Sequence, residues 1–415
     1  MHFVNLTLEE YEKISEKHEH SSFMQSKEQY LWKQKEGNNC YIVGVKEDNE
    51  IIAATFLYGI PVMRMFTYFY SPRGFLLDYD KEEVVTFFIK HLKEYLKKKK
   101  GLYLKFDPYV PYKERDLEGK LVEKGFDHSN VVELLKKECI HGGFTIGVNE
   151  ISQARWMMVL DLENETEQSL LKNMDQQTRW SINKTIKQGI KVRELSIDEL
   201  DIFIDMLEKT AKRRNFATRS REYYKQQFLE FGSKAEVLLA YLDVEDFKER
   251  ALQEKQTLTE ELNQIQKKLD EMPNSKKFIK KLKVCNAALE LNHKKIFQAD
   301  QLEAEYGKVI PMASSFFIIH GSSCVYLYSA SDERFSKYNA PYAIQWYMIR
   351  ESLSKGLKCY NFYGTSGNFT AEADDYGVYE FKKGFNAHAV ELIGDFYLPI
   401  RKNIFKLYNK IKHVV

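Results

Sequence analysis

The segment LTEELNQIQKKLDEMPNSKKFIKKLKVCNAALELNHKKI, residues 258–296, decides the architecture because its pattern differs from that of the sequence around it. Apolar residues recur in it at steps of four and three, with one final step of seven: Leu258, Leu262, Ile265, Leu269 and Met272, then Phe278, Leu282, Cys285, Leu289 and Ile296. This spacing predicts two helices that share an apolar seam. Pro273 stops the first helix, and the polar residues after it let the second run back. The sequence therefore predicts an antiparallel coiled-coil hairpin arm that projects roughly 40 Å.

The sequence on both sides of this arm alternates strand-like and helical patterns, which predicts an α/β fold. A chain of 415 residues suits two compact lobes. The strand-like WMMVLDLEN begins the second lobe, and MASSFFIIHG resumes it after the arm, followed by a helix over 341–356. The predicted units are a first lobe (1–145), a second lobe in two parts (146–245 and 308–395), the arm (246–307) and a basic C-terminal helix (396–415).

Composition limits the class of protein. Hydrophobic residues make up 44% and aromatic residues 14% of the chain, which excludes overall disorder. The 62 basic and 60 acidic residues nearly cancel, so an anionic partner must meet local clusters of charge. The five cysteines form no C-x-x-C pair and no zinc pattern, so we expect free thiols in a reducing cytoplasm and no metal. No signal peptide or membrane span is predicted.

The arm by itself leaves its role open. It is equally typical of a spacer or oligomerisation device and of an RNA-binding element. Lysines cluster just past its turn, at Lys276, Lys277, Lys280, Lys281 and Lys283. Such a cluster is consistent with contact to a phosphate backbone, although lysine-rich helices also occur for solubility alone.

Several segments, in order and at proper spacing, resemble one known family. They are RGFLLDY (73–79), LYLKFDPYVPY (102–112), LLKNMDQQTRWSINK (170–184), GIKVREL (189–195), YNFYGTSGNFT (360–370) and DYGVYEFKKGFNAHAVELIGDF (375–396). The chain resembles the Fem-type aminoacyltransferases that build peptidoglycan interpeptide bridges, with MurM-like enzymes as relatives. The resemblance implies two GCN5-related acyltransferase-like lobes and an arm similar to that of seryl-tRNA synthetase.

The resemblance also implies the reaction. The expected donor is aminoacyl-tRNA, with no further cofactor, and the expected acceptor is the stem peptide of lipid II or a related precursor. Glycine, alanine and serine are all compatible as the transferred amino acid. Because the donor is an activated ester, the enzyme needs only to orient an amine and stabilise an oxyanion. Lys382 matches the family lysine at the reacting centre, with its neighbour Lys383 as the alternative; without the resemblance, a surface strand lysine would be the ordinary interpretation.

The remaining candidate residues also come from the resemblance. Lys33 and Arg219 match positions that hold acceptor phosphates, and Tyr223 and Tyr326 match aromatic positions of the same cavity. Arg179 falls at a basic position of the family. Each of these residues alone would read as a surface cation or a core aromatic.

Three further residues are candidates from their place on predicted strands. Phe362 and Tyr363 lie at a strand end followed by Gly364 and Gly367, where backbone can approach a ligand closely, or where the chain merely turns. Asp107 precedes a proline and could bind an amine, orient a tyrosine or cap its loop. No general base is obvious; Glu391 and Asp395 are weak candidates, and the substrate's own groups or a water can relay the proton.

The C-terminal tail predicts a basic amphipathic helix with Ile404, Tyr408 and Ile411 on one face. Such a helix suits peripheral contact with the inner membrane face, or packing on the first lobe. Self-association and association with related transferases are both compatible with the arm. The competing functions are an acetyl-CoA-dependent acyltransferase, whose pyrophosphate loop we do not find, a tRNA-binding or mischarged-tRNA-deacylating protein, and a structural adaptor.

Overall fold

The computed structural model describes residues 1–144, 146–147 and 153–415. Its strands, in chain order, are β1 (His2–Asn5), β2 (Asn39–Glu47), β3 (Glu50–Val62), β4 (Phe66–Ser71), β5 (Leu76–Leu77), β6 (Gly101–Phe106), β7 (Pro111–Glu114), β8 (Ile140–His141), β9 (Trp156–Asp161), β10 (Ile190–Glu194), β11 (Ala235–Asp243), β12 (Val309–His320), β13 (Ser323–Ser331), β14 (Cys359–Thr365), β15 (His388–Leu392) and β16 (Phe396–Pro399).

The helices, in chain order, are α1 (Leu8–Lys17), α2 (Lys27–Lys35), α3 (Glu82–Lys98), α4 (Ser129–Lys136), α5 (Glu167–Asn173), α6 (Gln176–Lys187), α7 (Leu200–Arg214), α8 (Arg221–Phe231), α9 (Val244–Glu271), α10 (Lys276–Tyr306), α11 (Ala340–Ser354), α12 (Tyr376–Gly384) and α13 (Lys402–Lys412). Local sequence sets several of their ends. Thr7 and Glu10 form a capping box at the start of α1, and the Asp175 side chain caps α6. Gly307 follows α10 at a φ of +83°, which favours glycine.

The strands form two mixed sheets, so the predicted α/β class is confirmed. The first sheet has the order β1-β2-β3-β4-β6-β16-β8, with β5 beside β3. Its parallel pair, β4 and β6, is connected through α3, as a parallel connection requires. Phe88 and Leu92 of α3 are fully buried against this sheet and form part of the first core. That each lobe is GCN5-related stays a prediction.

The second sheet has the order β10-β11-β12-β13-β14-β9-β15-β7. Its parallel pair, β13 and β14, is connected through α11, which lies where the sequence predicts a helix. One face of the sheet packs against α6, α11 and α12, and the other against α7 and α8. Trp32 of α2 is buried in the core on the face that packs against α7 and α8. The two halves of the molecule therefore share a packed boundary.

Two strands cross the predicted lobe boundaries, which corrects the division at residues 145 and 395. β7 belongs to the predicted first lobe, yet Glu114 pairs with Val390 of the second sheet. β16 lies in the predicted C-terminal helix, yet Phe396 pairs with Phe106 of the first sheet. The sequence could not show this exchange because strand periodicity reports a buried face and not the partner strand.

The predicted hairpin segment is occupied by α9 and α10, which lie antiparallel. The Cys285 thiol donates to Leu258 O at 3.4 Å, and Asn292 Nδ2 donates to Ala251 O at 2.9 Å. Asn292 is buried and occupies the seven-residue step of the apolar row. Met272, predicted for the seam, is instead 48% exposed because the chain turns there. Supercoiling and the 40 Å projection stay predictions.

The C-terminal helix exists but is shorter than predicted and turns a different face inward. Phe405 is its buried residue and packs on Tyr103 at 4.9 Å between ring centroids, with Ile404 and Tyr408 beside it. Ile411, predicted on the same face, is 66% exposed. Within the described residues, no helix has the length and apolarity needed to cross a membrane.

Candidate active site

The second sheet opens where β13 and β14 separate. These parallel strands pair over three residues only, from Ser323 opposite Cys359 to Val325 opposite Asn361. Beyond that point β14 bulges, because Asn361 and Gly364 face Val159 and Met157 of β9, which leaves one extra residue on β14. Unpaired backbone of β14 therefore borders an opening in the sheet.

Tyr363, within the bulge, has a backbone conformation that residues other than glycine rarely adopt. Its φ is +64°, in the left-handed region. The Asn361 side chain accommodates this turn by accepting the Tyr363 N–H at 2.7 Å. The local cost of such a backbone, of the order of 1–3 kcal/mol, is typical of residues at functional sites. The carbonyl groups of Tyr363 and Gly364, in this bulge, accept hydrogen bonds from a side chain outside the sheet.

Lys382 meets these carbonyl groups. It lies near the end of α12, is 4% exposed, and its Nζ donates to Gly364 O at 2.5 Å and to Tyr363 O at 3.3 Å. Burial lowers the pKa of Lys382 from 10.5 to about 7, against the smaller opposing effect of Asp375. The alternative of a surface strand lysine is wrong, because the residue is helical and buried. A lysine of this kind can act as cation or as neutral amine near pH 7.

Lys383 points elsewhere. Its Nζ lies 2.6 Å from Glu380 and 5.0 Å from the ring centroid of Tyr379, and its side chain is 26% exposed. Since consecutive helical side chains diverge by about 100°, only one of the two lysines can face the bulge. The structure places Lys382 there.

A buried ion pair lies on the other side of Tyr363. Arg73 Nη1 is 3.3 Å from Asp107 Oδ2, and both side chains are 3% exposed. Burial raises the pKa of Asp107 to about 6, although Arg73 opposes the shift. The Arg73 N–H also donates to Asp107 Oδ1 at 3.2 Å, whereas Oδ2 has no hydrogen-bond partner among the described residues. Asp107 therefore pairs with Arg73, and its predicted roles of binding an amine, orienting a tyrosine or capping its loop stay predictions.

The predicted phosphate-binding residues do come together, around Trp32. Lys33 Nζ lies 5.1 Å from the centroid of the Trp32 ring, and the Tyr223 ring packs against Trp32 at a tilt of 55°, with 4.8 Å between ring centroids. The Arg219 guanidinium lies 5.8 Å from the Tyr223 ring. Helix α2 carries Trp32 and Lys33, helix α8 carries Tyr223, and Arg219 lies just before α8. Two chain segments nearly 200 residues apart therefore build one basic and aromatic cluster. Lys33 also contacts Glu36 at 2.6 Å.

Tyr328, which the sequence analysis did not select, connects this cluster to the bulge. Tyr223, Tyr328 and Tyr363 pack against the same hydrophobic core. Burial, and then the nearby phenols of Tyr223 and Tyr363, raise the pKa of Tyr328. Tyr326 lies on the opposite face of the sheet, stacked on Phe317 at 5.5 Å. A strand's period of two would place Tyr326 and Tyr328 together, but a bulge opposite Phe316 and Phe317 separates them. No signal in the sequence marks that bulge.

Two further candidates have structural positions. Phe362 is 1% exposed and packs in the core, 5.4 Å from Phe385 between ring centroids. Arg179 donates to the carbonyl groups of Lys172 and Met174, so it ties α6 to the end of α5. Neither lies in the basic and aromatic cluster. Arg73 was missed by the sequence analysis although it opens the segment RGFLLDY.

The two weak candidates for a general base are both neutralised by cations. Glu391 is buried and accepts from Arg115 Nε at 2.9 Å and from Arg155 Nη1 at 2.6 Å. Asp395 Oδ2 lies 3.1 Å from Lys105 Nζ. Each of these carboxylates is therefore already paired with at least one cation.

One group of three metal-type ligands occurs among the described residues, formed by Glu16, Glu28 and His320. The Lys234 ammonium already occupies it, with Nζ 2.8 Å from Glu28 and in contact with Glu16. We therefore assign no metal to this group. All five cysteines, which lie within the described residues, are free.

Comparisons with known proteins point to the same group of proteins over nearly the whole chain. A profile of the FemAB family matches residues 6–413. "Aminoacyltransferase FemA" of Staphylococcus epidermidis is 37% identical over 413 residues, covering 99% of each chain. FemA of Staphylococcus aureus strain bovine RF122 / ET3-1 is 36% identical over 415 residues, covering 100% of this chain and 99% of the relative. A crystal structure of FemX is similar in fold, with a TM-score of 0.85 at 23% identity over 98% of this chain and 99% of that one.

Proposed function

This chain belongs to the FemAB family and is an aminoacyltransferase, and from this premise we propose that it extends an interpeptide bridge of peptidoglycan. The donor is aminoacyl-tRNA carrying glycine, alanine or serine. The acceptor is an amine of the stem peptide, or of the growing bridge, on a lipid-linked precursor such as lipid II. The observation that carries the proposal is the buried Lys382 amine, which donates to the bulged strand β14 where Tyr363 packs in one core with Tyr328 and Tyr223 of the basic and aromatic cluster.

The chemistry needs only a positioned cation. The acceptor amine attacks the ester carbonyl carbon of the donor, the new C–N bond forms, the bond to the ribose oxygen breaks, and that oxygen takes the proton that the amine loses. An ammonium has three N–H donors, and the backbone carbonyl groups of Tyr363 and Gly364 use two of those of Lys382. The third can stabilise the oxyanion. Removing such a donor typically costs about 10²–10³ in rate.

The basic and aromatic cluster suits the phosphates of the acceptor. Lys33 supplies a point charge, and Arg219 supplies a planar fork that can bind phosphate oxygens in pairs. Tyr223 lies beside Arg219 and packs in one core with Tyr328 and Tyr363, so phenol groups near the bulge can donate to phosphate or peptide oxygens. The acceptor would thus be held at one end by its phosphates and reach Lys382 with its amine.

Loss of the acceptor proton remains the step without a dedicated side chain. An amine of pKa near 10.4 must lose its proton before attack. We propose that the acceptor's own groups, or a water, relay it, because Glu391 and Asp395 are engaged by cations and Asp107 by Arg73. Neutralising each carboxylate in turn, with the unfolding midpoint measured alongside, tests this. A large loss of turnover at one of them without loss of stability contradicts the substrate-assisted step.

A patch beside α13 supports contact with the inner membrane face. Leu407 and Ile411 of α13 are 59% and 66% exposed, and Met63 and Met65 protrude from the turn between β3 and β4. The two elements adjoin, since Phe66 packs in the same cluster as Phe405. Four lysines of α13 lie around the apolar residues. Anionic vesicles should retain the wild type and release the Leu407→Ser/Ile411→Ser variant; equal retention of both contradicts the patch.

The function is tested by transfer of radiolabelled glycine, alanine and serine from charged tRNA to purified lipid II and to a branched precursor. The wild type should label one of these acceptors, and Lys382→Ala should lose the label while Lys383→Ala keeps it. The label also identifies the donor amino acid. If the wild type labels neither acceptor yet binds or deacylates tRNA, the bridge-building function fails and tRNA handling replaces it.

A further inference from the structure

A groove at the base of the helical hairpin combines basic and aromatic side chains. It has a volume of about 420 Å³ and lies between the second half of α6, the start of α9 and the last part of α10. Its cations come from several elements: Lys184, Lys187, Arg250, Lys295 and Lys337. Glu254 is the one carboxylate among the lining residues. The groove therefore favours an anion.

The cations are unequally available. Arg250 Nε lies 2.9 Å from Asp246, and Lys295 Nζ lies 2.7 Å from Glu254. No ion pair with a described residue engages the other three, which are Lys184, Lys187 and Lys337. Two of these three belong to α6, one helical turn apart. An elongated anion that follows α6 would meet both.

An aromatic ring stands beside these lysines. Trp180 is 52% exposed, and Lys184 Nζ lies 4.7 Å from its ring centroid. On the other wall, Lys337 Nζ lies 5.3 Å from the ring of Tyr338. Rings interleaved with cations in a concave groove are typical of surfaces that bind single-stranded nucleic acid, where bases stack and phosphates meet the charges. A flat membrane surface fits a concave groove poorly.

A single helix, α6, runs from the candidate active site to the groove. The Asp175 N–H, at the start of α6, donates to Gly384 O of α12 at 3.0 Å, two residues from Lys382. From Gln176 to Lys184, α6 rises about 12 Å. A strand whose esterified end lay at Lys382 would therefore reach the groove within a few nucleotides.

We propose that this groove binds the unpaired 3′ segment of the donor RNA, with a base stacked on Trp180 and phosphates on Lys184 and Lys187. The proposal rests on the proposed function, because it takes the donor to be aminoacyl-tRNA. It places the RNA contact at the base of the hairpin, whereas the lysines past the hairpin turn are the competing location.

The test is fluorescence anisotropy of the full-length protein with a labelled RNA hairpin that carries an unpaired 3′ ACCA extension. Trp180→Ala should weaken binding about five- to hundred-fold, and Trp180→Phe should weaken it less because a ring remains. The Lys184→Gln/Lys187→Gln variant should lower the slope of log K against log salt by about 1.4, since two phosphate contacts are lost. Because Trp180 and Lys187 are exposed, these variants should keep the fold, which circular dichroism checks.

Two matched variants remove the same charge elsewhere. Lys277→Gln/Lys280→Gln lies just past the hairpin turn, and Lys90→Gln/Lys98→Gln lies on α3, with all four side chains exposed. We expect the α3 pair to bind RNA as the wild type does and the turn pair to lose less than the groove pair. Affinity unchanged in the groove variants, or a loss confined to the turn pair, overturns the proposal, as does a wild type that binds no RNA.

The same preparations are assayed for transfer, which separates the two proposals. If the wild type labels lipid II while the groove variants bind RNA normally, the groove is wrong and the bridge-building function stands. If RNA binding depends on the groove but the wild type labels no acceptor, the function is wrong and the groove stands.

Discussion

Replacing Lys382 by methionine should change how stability depends on pH. Methionine is unbranched and only one heavy atom shorter than lysine, so it keeps most of the packing and removes the titration. The folded protein lowers the pKa of Lys382 from 10.5 to about 7, so between these values the unfolded chain binds a proton that the folded chain lacks. Stability of the wild type therefore rises with pH from about 7 towards 10.5, whereas the variant lacks this contribution.

The expected magnitude follows from the linkage relation. Each pH unit over which only the unfolded state is protonated is worth 1.36 kcal/mol, and Lys382 is about half protonated in the folded protein at pH 7. Raising the pH from 7 to 9 should therefore stabilise the wild type relative to Lys382→Met by about 2 kcal/mol. Other groups titrate equally in both proteins, so they cancel in the difference.

Urea unfolding at both pH values, followed by tryptophan fluorescence, measures this difference. Lys383→Met is the control, because Lys383 is partly exposed and its partner Glu380 contributes to raising its pKa, so it stays protonated over this range. If the free-energy difference between wild type and Lys382→Met is the same at both pH values, the folded protein does not shift the Lys382 pKa into this range. The reasoning that burial sets its charge would then be refuted.

Three further predictions concern the surroundings of the site. Arg73→Met should cost about 3–5 kcal/mol because Asp107 is left buried and unpaired, and adding Asp107→Asn should recover part of that loss; additive losses in urea unfolding contradict the pairing. Glu391→Gln should lower the unfolding midpoint, since two arginines lose their anchor; lost turnover at unchanged stability would instead identify a base. Lys33→Gln should raise KM for the acceptor about tenfold, as the loss of a charged hydrogen bond predicts. Lys35, which is 66% exposed and paired with Glu230, supplies the control, because Lys35→Gln should leave KM unchanged. Equal KM values for the two variants contradict the phosphate role of Lys33.

The sequence determined the local elements well. The rows of four and three residues predicted two helices, and Ile265 and Cys285 are indeed buried between them. The helix predicted over 341–356 lies at Ala340–Ser354. These features depend on neighbours within one or two turns, so a pattern along the chain is enough to show them. Several segments in order and at proper spacing also led to the family, which the comparisons confirm.

The tertiary structure alone decided how the site is assembled. The exchange of β7 and β16 between the sheets depends on which strand edges meet, and hydrophobic alternation is blind to that choice. The bulge beside Phe317 places Tyr328, and not Tyr326, on the face of the sheet that carries the basic and aromatic cluster, by a shift of register that nothing in the sequence marks. In the sequence nothing distinguishes Lys382 from other lysines; only the packing of α12 brings its amine to the bulged strand. Its altered pKa is therefore a property of the packed fold, because desolvation depends on every segment that surrounds the amine.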